Sequence, residues 1–250
     1  MQKFMVVRAA IAAALAFTLA PASAQAPGTS PSVIHLVANA VVADSSATFD
    51  VLALDDAEFD GIDFPRVAPG QERADFEAWI DRNAGNRAAI AEFRSHLAAN
   101  GVEDVLPVWQ LVRTSSSYRG CRAQPFEVAP REKWDNIVKT LKFVEADVIP
   151  AVGRVQAVSG YRNAGLNRCS AGAPGSAHQQ FFALDLMPVD AGVDRGDLIR
   201  GVCAAHARDG QAFDAGLGFY NGRRFHVDTN GFRRWGANGR GATSPCGSHA

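Results

Sequence analysis

The sequence predicts an α+β fold in which a small antiparallel or mixed sheet carries helices on one side. Two stretches show the apolar spacing of amphipathic helices, at 72–99 and 130–150. Short apolar or alternating runs at 154–162, 181–188 and 213–229 are typical of strands. Hydrophobic residues make up 47% of the chain, which is enough to bury a core between the two layers.

The N-terminus predicts a cleaved signal peptide over residues 1–24. Lys3 and Arg8 precede a short apolar run at 9–20, and Ala-Ser-Ala at 22–24 is typical of a cleavage site. The run is too short to act as a membrane anchor, and we expect no later membrane span. We therefore expect an exported protein, either periplasmic or secreted.

The composition limits the kinds of binding partner and the cysteine chemistry that we expect. The formal net charge of -1 gives no reason to expect binding to nucleic acid or to an anionic membrane surface. The four cysteines are an even set in an exported chain, which favours two disulfides. They form no CxxC pair, which argues against a zinc-ribbon or thioredoxin fold. Three pairings are possible, and the sequence leaves the pairing and the oligomeric state open.

The mature chain divides by pattern into three parts. Residues 25–125 are expected to form an accessory segment, with one or two strands between 33 and 54 and a helical stretch that Gly85 interrupts. Residues 126–238 hold the candidate catalytic domain, and residues 239–250 form a polar tail.

Within the catalytic part, a helix is expected to begin at Pro130 and to be stopped by Pro150. The segment 163–176, rich in Gly, Ser and Asn, predicts a long loop. A short helix at 197–210 and a hairpin with its turn at 221–222 complete the domain.

Alternation along the strands predicts one polar face. Asp185 faces away from its apolar neighbours on one strand, while His226 and Asp228 share a face on another. If these strands are neighbours, the three side chains meet, and His178 at the end of the glycine-rich loop reaches them. Two imidazoles and a carboxylate are the ligand types of a catalytic zinc site. A zinc ion explains why an apolar strand tolerates Asp185.

Three motifs occur in order, SGYRNAGLN, GAPGSAHQQFFALDL and GLGFYNGRRFHVDTNGFRRW. This part of the chain resembles the LAS-type zinc D-Ala-D-Ala carboxypeptidases and murein endopeptidases. The resemblance implies three zinc ligands, His178, Asp185 and His226. It also implies that Arg162 holds a substrate carboxylate or stabilises the charged tetrahedral intermediate, and that Ser176 is a hydrogen-bonding neighbour.

Two positions depart from the family pattern. Arg223 stands where many relatives carry an acidic general base, so Asp228 is expected to serve as the base or as a carboxylate behind a ligand. In a further alternative, Asp228 is the ligand and His226 lies behind it. Phe181 stands where the family usually has glycine, and its ring is expected to narrow the cleft or to displace His178.

The resemblance implies an exported zinc metallopeptidase. It would hydrolyse peptide bonds in the stem or cross-links of peptidoglycan at a D-amino acid, as a D,D-carboxypeptidase or an endopeptidase. The alternative is a catalytically silent, zinc-stabilised module that binds cell-wall peptides or a protein partner. A metal-free structural protein is the third possibility.

Overall fold

A computed structural model describes residues 57–248 of the chain. All of these residues belong to one compact unit. The predicted signal peptide and the strands expected between 33 and 54 lie outside the described residues. From residue 57 to residue 248, no helix combines the length and the apolar character needed to cross a bilayer.

The described part of the chain contains seven α-helical segments. They are α1 (Arg73–Asp81), α2 (Ala84–Ala99), α3 (Val108–Leu111), α4 (Trp134–Phe143), α5 (Ile149–Val152), α6 (Ala164–Cys169) and α7 (Arg195–Asp209). Short 3-10 turns lie at Ala57–Phe59, Arg131–Lys133, Ala177–Gln180, Gly241–Thr243 and Pro245–Ser248.

The break between α1 and α2 falls before the position predicted for it. Asn83 separates the two helices, and its side chain accepts a hydrogen bond from Gly85 N at 2.8 Å. Asn is a favoured N-cap because this bond satisfies a free backbone donor. Gly85 therefore lies inside α2 and does not interrupt it. The buried rings of Phe76 and Phe93 attach both helices to the main core.

The helix that begins near Pro130 continues past Pro150, contrary to the prediction. A π-helical turn at Val144–Val148 joins α4 to α5, and Pro150 lies in the first turn of α5. Proline lacks the N–H that a regular α-helix would use at this position, and the π-helical turn before it changes the local hydrogen-bond pattern. The helix ends at Gly153, whose φ of 73° favours glycine.

Five strands form one mixed sheet. They are β1 (Val155–Ser159), β2 (Ala183–Pro188), β3 (Gly216–Phe219), β4 (Phe225–Asp228) and β5 (Arg233–Trp235). Their order is β1-β2-β4-β3-β5, and only the β3–β5 pair among them is parallel. The predicted α+β class is confirmed, whereas the sequence pattern does not indicate β5.

The β3–β4 hairpin sets the register of the sheet. Its turn contains Gly222 at a φ of 74°, as expected for an Asn-Gly turn. The neighbouring strands β2 and β4 pair so that Asp185 lies directly opposite His226. Leu184 and Val227, on the other face, are fully buried against the helices. The polar face predicted from strand alternation is therefore formed.

Side chains from the end of α3 cover the free edge of β1. Gln110 Oε1 accepts a hydrogen bond from Ala157 N at 2.9 Å, and Arg113 Nη1 donates to Ala157 O at 2.7 Å. Arg113 Nε also donates to Gln71 O, and burial lowers the pKa of Arg113 to about 9. These contacts satisfy edge backbone groups that a neighbouring strand would otherwise pair with, and so protect the edge from pairing with another chain.

The prediction of two disulfides is confirmed. Cys121 pairs with Cys169, and Cys203 pairs with Cys246, which ties the tail to α7. The predicted loop at 163–176 is wrong in its first half, where α6 forms. Asn163 caps this helix by accepting a hydrogen bond from Leu166 N at 2.9 Å.

Candidate metal centre

The sheet and one short turn bring three predicted ligands together. Asp185 lies on β2, His226 lies opposite it on β4, and His178 lies on the 3-10 turn Ala177–Gln180. We call these three residues the His-Asp-His cluster. None of the three side chains is more than 5% exposed. Such a group of buried ligand atoms is able to hold a metal ion.

The three facing atoms form a nearly equilateral triangle. His178 Nε2 lies 3.2 Å from His226 Nδ1, His226 Nδ1 lies 3.1 Å from Asp185 Oδ1, and His178 Nε2 lies 3.3 Å from Asp185 Oδ1. Ligand atoms bound to zinc at about 2.0–2.1 Å in a tetrahedron lie about 3.3 Å apart. The cluster therefore matches three corners of such a site and leaves the fourth corner for another ligand.

Hydrogen bonds fix which nitrogen of each ring faces the triangle. His178 Nδ1 lies 2.7 Å from Gly160 O, and a carbonyl only accepts, so Nδ1 carries the hydrogen. His226 Nε2 lies 2.9 Å from Asp228 Oδ2 and donates to this carboxylate. The remaining nitrogens then direct lone pairs toward Asp185 Oδ1. Three acceptors that face one another require a proton or a cation between them.

Two of the three side chains in the cluster, His178 and Asp185, have the protonation state that a cation requires. Burial, together with the charge of Arg162, lowers the pKa of His178 to about 4. Burial opposes a charge on Asp185, but His178 and Arg162 hold its pKa well below the usual range. Burial also opposes a charge on His226, yet hydrogen bonds with Asp185 and Asp228 raise its pKa. At neutral pH, His178 is neutral and Asp185 is ionised, as metal ligation requires.

Three further donors hold the Asp185 carboxylate. Arg162 donates to Oδ2, and Arg224 Nη2 donates to the same oxygen at 2.6 Å. Tyr220 donates its hydroxyl hydrogen to Oδ1 at 2.8 Å. Arg162 is itself positioned by a 3.0 Å hydrogen bond from its Nε to Ser159 Oγ. These partners explain how an apolar strand tolerates a fully buried aspartate.

Asp228 lies on the far side of the His226 ring. It is fully buried, and Arg233 donates to both of its oxygens at 2.9 Å. Asn230 N donates to Oδ1 at 2.8 Å. Burial opposes ionisation of Asp228, but the contact with His226 lowers its pKa. Among the alternatives raised by the sequence, this position favours a carboxylate that orients the His226 ring.

Two glycines on β3 make room for this arrangement. Gly216 lies opposite Asp228, and a Cβ there would collide with the Asp228 carboxylate and the Arg233 guanidinium. A Cβ on Gly218 would collide with the indole of Trp235. That indole lies 4.9 Å from the His226 ring and forms part of the cleft wall. Larger residues at either glycine would displace groups that hold His226.

The cluster opens into a cleft of about 670 Å³, which we call the main cleft. His178, His226 and Arg162 lie on its surface, and predicted Ser176 lies on one wall. No aspartate or glutamate is among the described residues that line it. The main cleft therefore presents imidazole, guanidinium and hydroxyl groups to a ligand.

Phe181 does not narrow the main cleft, contrary to the expectation. Its ring is fully buried and packs on Phe93 and Tyr161, at centroid distances of 5.8 and 6.1 Å. Its φ of 59° lies in the left-handed region, which explains why glycine suits this position. The bulky ring points into the core, and His178 keeps its place in the cluster.

Sequence reasoning missed three residues that contact the buried aspartates, Tyr220, Arg224 and Arg233. Arg224 was recognisable, because it lies immediately before β4 and precedes His226 by two residues, which places it on the same side in an extended chain. Arg223 points to the opposite side and donates to Asp190 O at 2.6 Å. The Arg223 side chain is thus directed away from the cluster.

No known protein family, curated protein or solved structure matches the chain.

Proposed function

We propose that the protein is an exported, zinc-dependent peptidase that hydrolyses peptide bonds in the stem or cross-links of peptidoglycan, at a D-amino acid. The observation that carries the proposal is the triangle of acceptor atoms in the His-Asp-His cluster at the base of the main cleft. Two imidazoles and one carboxylate suit zinc with an open fourth position. The choice of substrate rests on the resemblance of the three motifs to LAS-type peptidases.

The side chains around the cluster suit amide hydrolysis. Bound zinc would supply Lewis acidity toward a carbonyl oxygen and a water molecule. Arg162 lies in the main cleft beside the cluster, where its guanidinium stabilises negative charge that develops on the substrate. Burial and the charge of Asp185 raise the pKa of Tyr220, so its phenol remains a hydrogen-bond donor.

In this proposal, Asp228 acts through His226. Its hydrogen bond to Nε2 fixes the tautomer of the ring and directs the Nδ1 lone pair to the cluster. Arg233 donates to both oxygens of this carboxylate, and Asp228 does not line the main cleft. Asp228 is therefore a positioning residue, and Arg162 is the residue assigned to contact the substrate.

Incubation of the purified mature protein with muropeptides tests this function. We expect zinc-dependent cleavage that a chelator abolishes, with the bond identified from the product masses. His178→Ala should lose both zinc and cleavage, whereas His96→Ala, on α2 away from the cluster, should retain them. Unchanged hydrolysis by a folded His178→Ala variant would show that the cluster is not the catalytic centre.

A second candidate is a catalytically silent, zinc-stabilised module that binds cell-wall peptides or a protein partner. The lack of an acidic side chain on the described surface of the main cleft favours it, because no carboxylate is placed there to accept a proton. This candidate predicts one bound zinc and measurable muropeptide binding without any cleaved product.

A further inference from the structure

A second cavity, of about 440 Å³, lies beside the His-Asp-His cluster. It is lined by Ser115, Ser116 and Ser117, and we call it the serine pocket. Its remaining walls include Arg162 and Tyr220, which also line the main cleft. A group bound in the serine pocket therefore lies next to a peptide that occupies the main cleft.

The serine pocket is rich in hydrogen-bond donors. Ser115 is only 4% exposed, and Ser170 Oγ donates to its hydroxyl at 3.0 Å, which fixes one wall. Arg224 Nη1 lies 3.3 Å from Ser116 Oγ. Arg224 Nε is buried and makes no hydrogen bond within residues 57–248. Because a buried donor without a partner costs free energy, the pocket favours a ligand that accepts hydrogen bonds.

The charge around the serine pocket is positive. Arg162 and Arg224 both donate to a single oxygen of Asp185. No aspartate or glutamate lies among the described residues that line the pocket. A divalent cation in the cluster would add further positive charge at the same place. An anionic group therefore fits this surface better than a neutral or cationic group.

We propose that the serine pocket holds the free C-terminal carboxylate of the substrate, so that the protein releases residues from peptide ends. A carboxylate only accepts hydrogen bonds, and it matches the guanidinium edge of Arg224 and the hydroxyl of Ser116. The inference rests on the proposed function, because it takes the substrate to be a peptide. Of the two proposed activities, this inference favours carboxypeptidase over endopeptidase activity.

The test compares a peptide acid with its amide. Diacetyl-L-Lys-D-Ala-D-Ala and the same peptide with a C-terminal carboxamide are titrated into the zinc-loaded mature protein by calorimetry, and hydrolysis is followed separately. Ser116→Asp places a carboxylate of the chain itself beside Arg224. Ser95→Asp, on the exposed side of α2, adds the same charge outside both cavities.

We expect the wild-type protein to bind the acid about 10-fold or more tightly than the amide, as for other charge-assisted hydrogen bonds. Ser116→Asp should remove this preference, and Ser95→Asp should preserve it. Equal affinity for acid and amide in the wild type, or an unchanged preference in Ser116→Asp, overturns the pocket assignment. Acid-selective binding without hydrolysis keeps the pocket and instead refutes the peptidase.

Discussion

The two ring nitrogens of His226 face different hydrogen-bonding groups. On the Nδ1 side, His178 Nε2 and Asp185 Oδ1 are both acceptors and lie 3.2 and 3.1 Å away. On the Nε2 side, Asp228 accepts the ring hydrogen, and its charge is balanced by Arg233, whose Nη1 and Nη2 donate to its two oxygens. Both aspartates are buried and paired with arginine, so burial and pairing alone do not define a metal ligand. The acceptors without a matching donor on the Nδ1 side distinguish the proposed ligands from Asp228.

Replacing a residue on the Nδ1 side should have the largest effect. Asp185→Asn retains the size of the side chain but removes the charge that faces both imidazoles. We expect zinc affinity to fall by more than about 100-fold, which exceeds the usual effect of changing a residue behind a ligand. Competition with a chromophoric chelator measures this affinity. An affinity within a few-fold of wild type would remove Asp185 from the ligand set.

Replacing the carboxylate on the Nε2 side should have a smaller effect. Asp228→Asn weakens the hydrogen bond that fixes the His226 tautomer, and we expect zinc affinity to fall by about 10- to 100-fold. The matched control is Asp147→Asn, another buried aspartate that pairs with Arg208 at 2.6 Å, away from the cluster. Equal losses in the two variants would show that Asp228 acts through general stability.

The pH dependence of the metal-free protein should show the smallest effect. The pKa of His178 is lowered to about 4 by burial, against 6.5 for the free side chain. Its stabilising contribution is thus complete above pH 6.5 and is lost as pH falls toward 4. His226 has the opposite sign, because its raised pKa gives a contribution that is complete below pH 6.5 and lost at higher pH.

Urea unfolding between pH 4 and 6.5 separates the two histidines. The wild-type protein should lose stability on acidification in this range, and His178→Gln should reduce the slope by up to about one proton. Asp185 adds to the loss only at the acid end of this range, because its pKa is lowered, and it does so equally in the wild type and in His178→Gln. An unchanged slope in His178→Gln would show that the ring is not kept neutral by its surroundings.

The sequence predicted the parts of the site that depend on strand periodicity. Asp185, His226 and Asp228 lie on one face because side chains alternate strictly along β2 and β4. The partners of Asp185 were harder to predict, because Arg224 and Tyr220 reach it through long side chains whose direction depends on packing. The role of Phe181 was also hidden, since its left-handed backbone turns the ring into the core.

The fold outside the sheet was predicted less completely. The π-helical turn before Pro150 shifts the hydrogen-bond pattern, which no local propensity indicates. The residues before 125 were expected to form an accessory segment, and their described part shares one core with the sheet through Phe76 and Phe93. Such contacts between distant parts of the chain do not follow from local periodicity.

A crystal structure of the zinc-soaked protein, with anomalous data at the zinc edge, tests the cation site most directly. We predict one zinc ion bound by His178 Nε2, His226 Nδ1 and Asp185 Oδ1, with Asp228 still hydrogen-bonded to His226 Nε2. An empty triangle at saturating zinc, or an ion bound through His226 Nε2 and Asp228, would contradict the proposed centre.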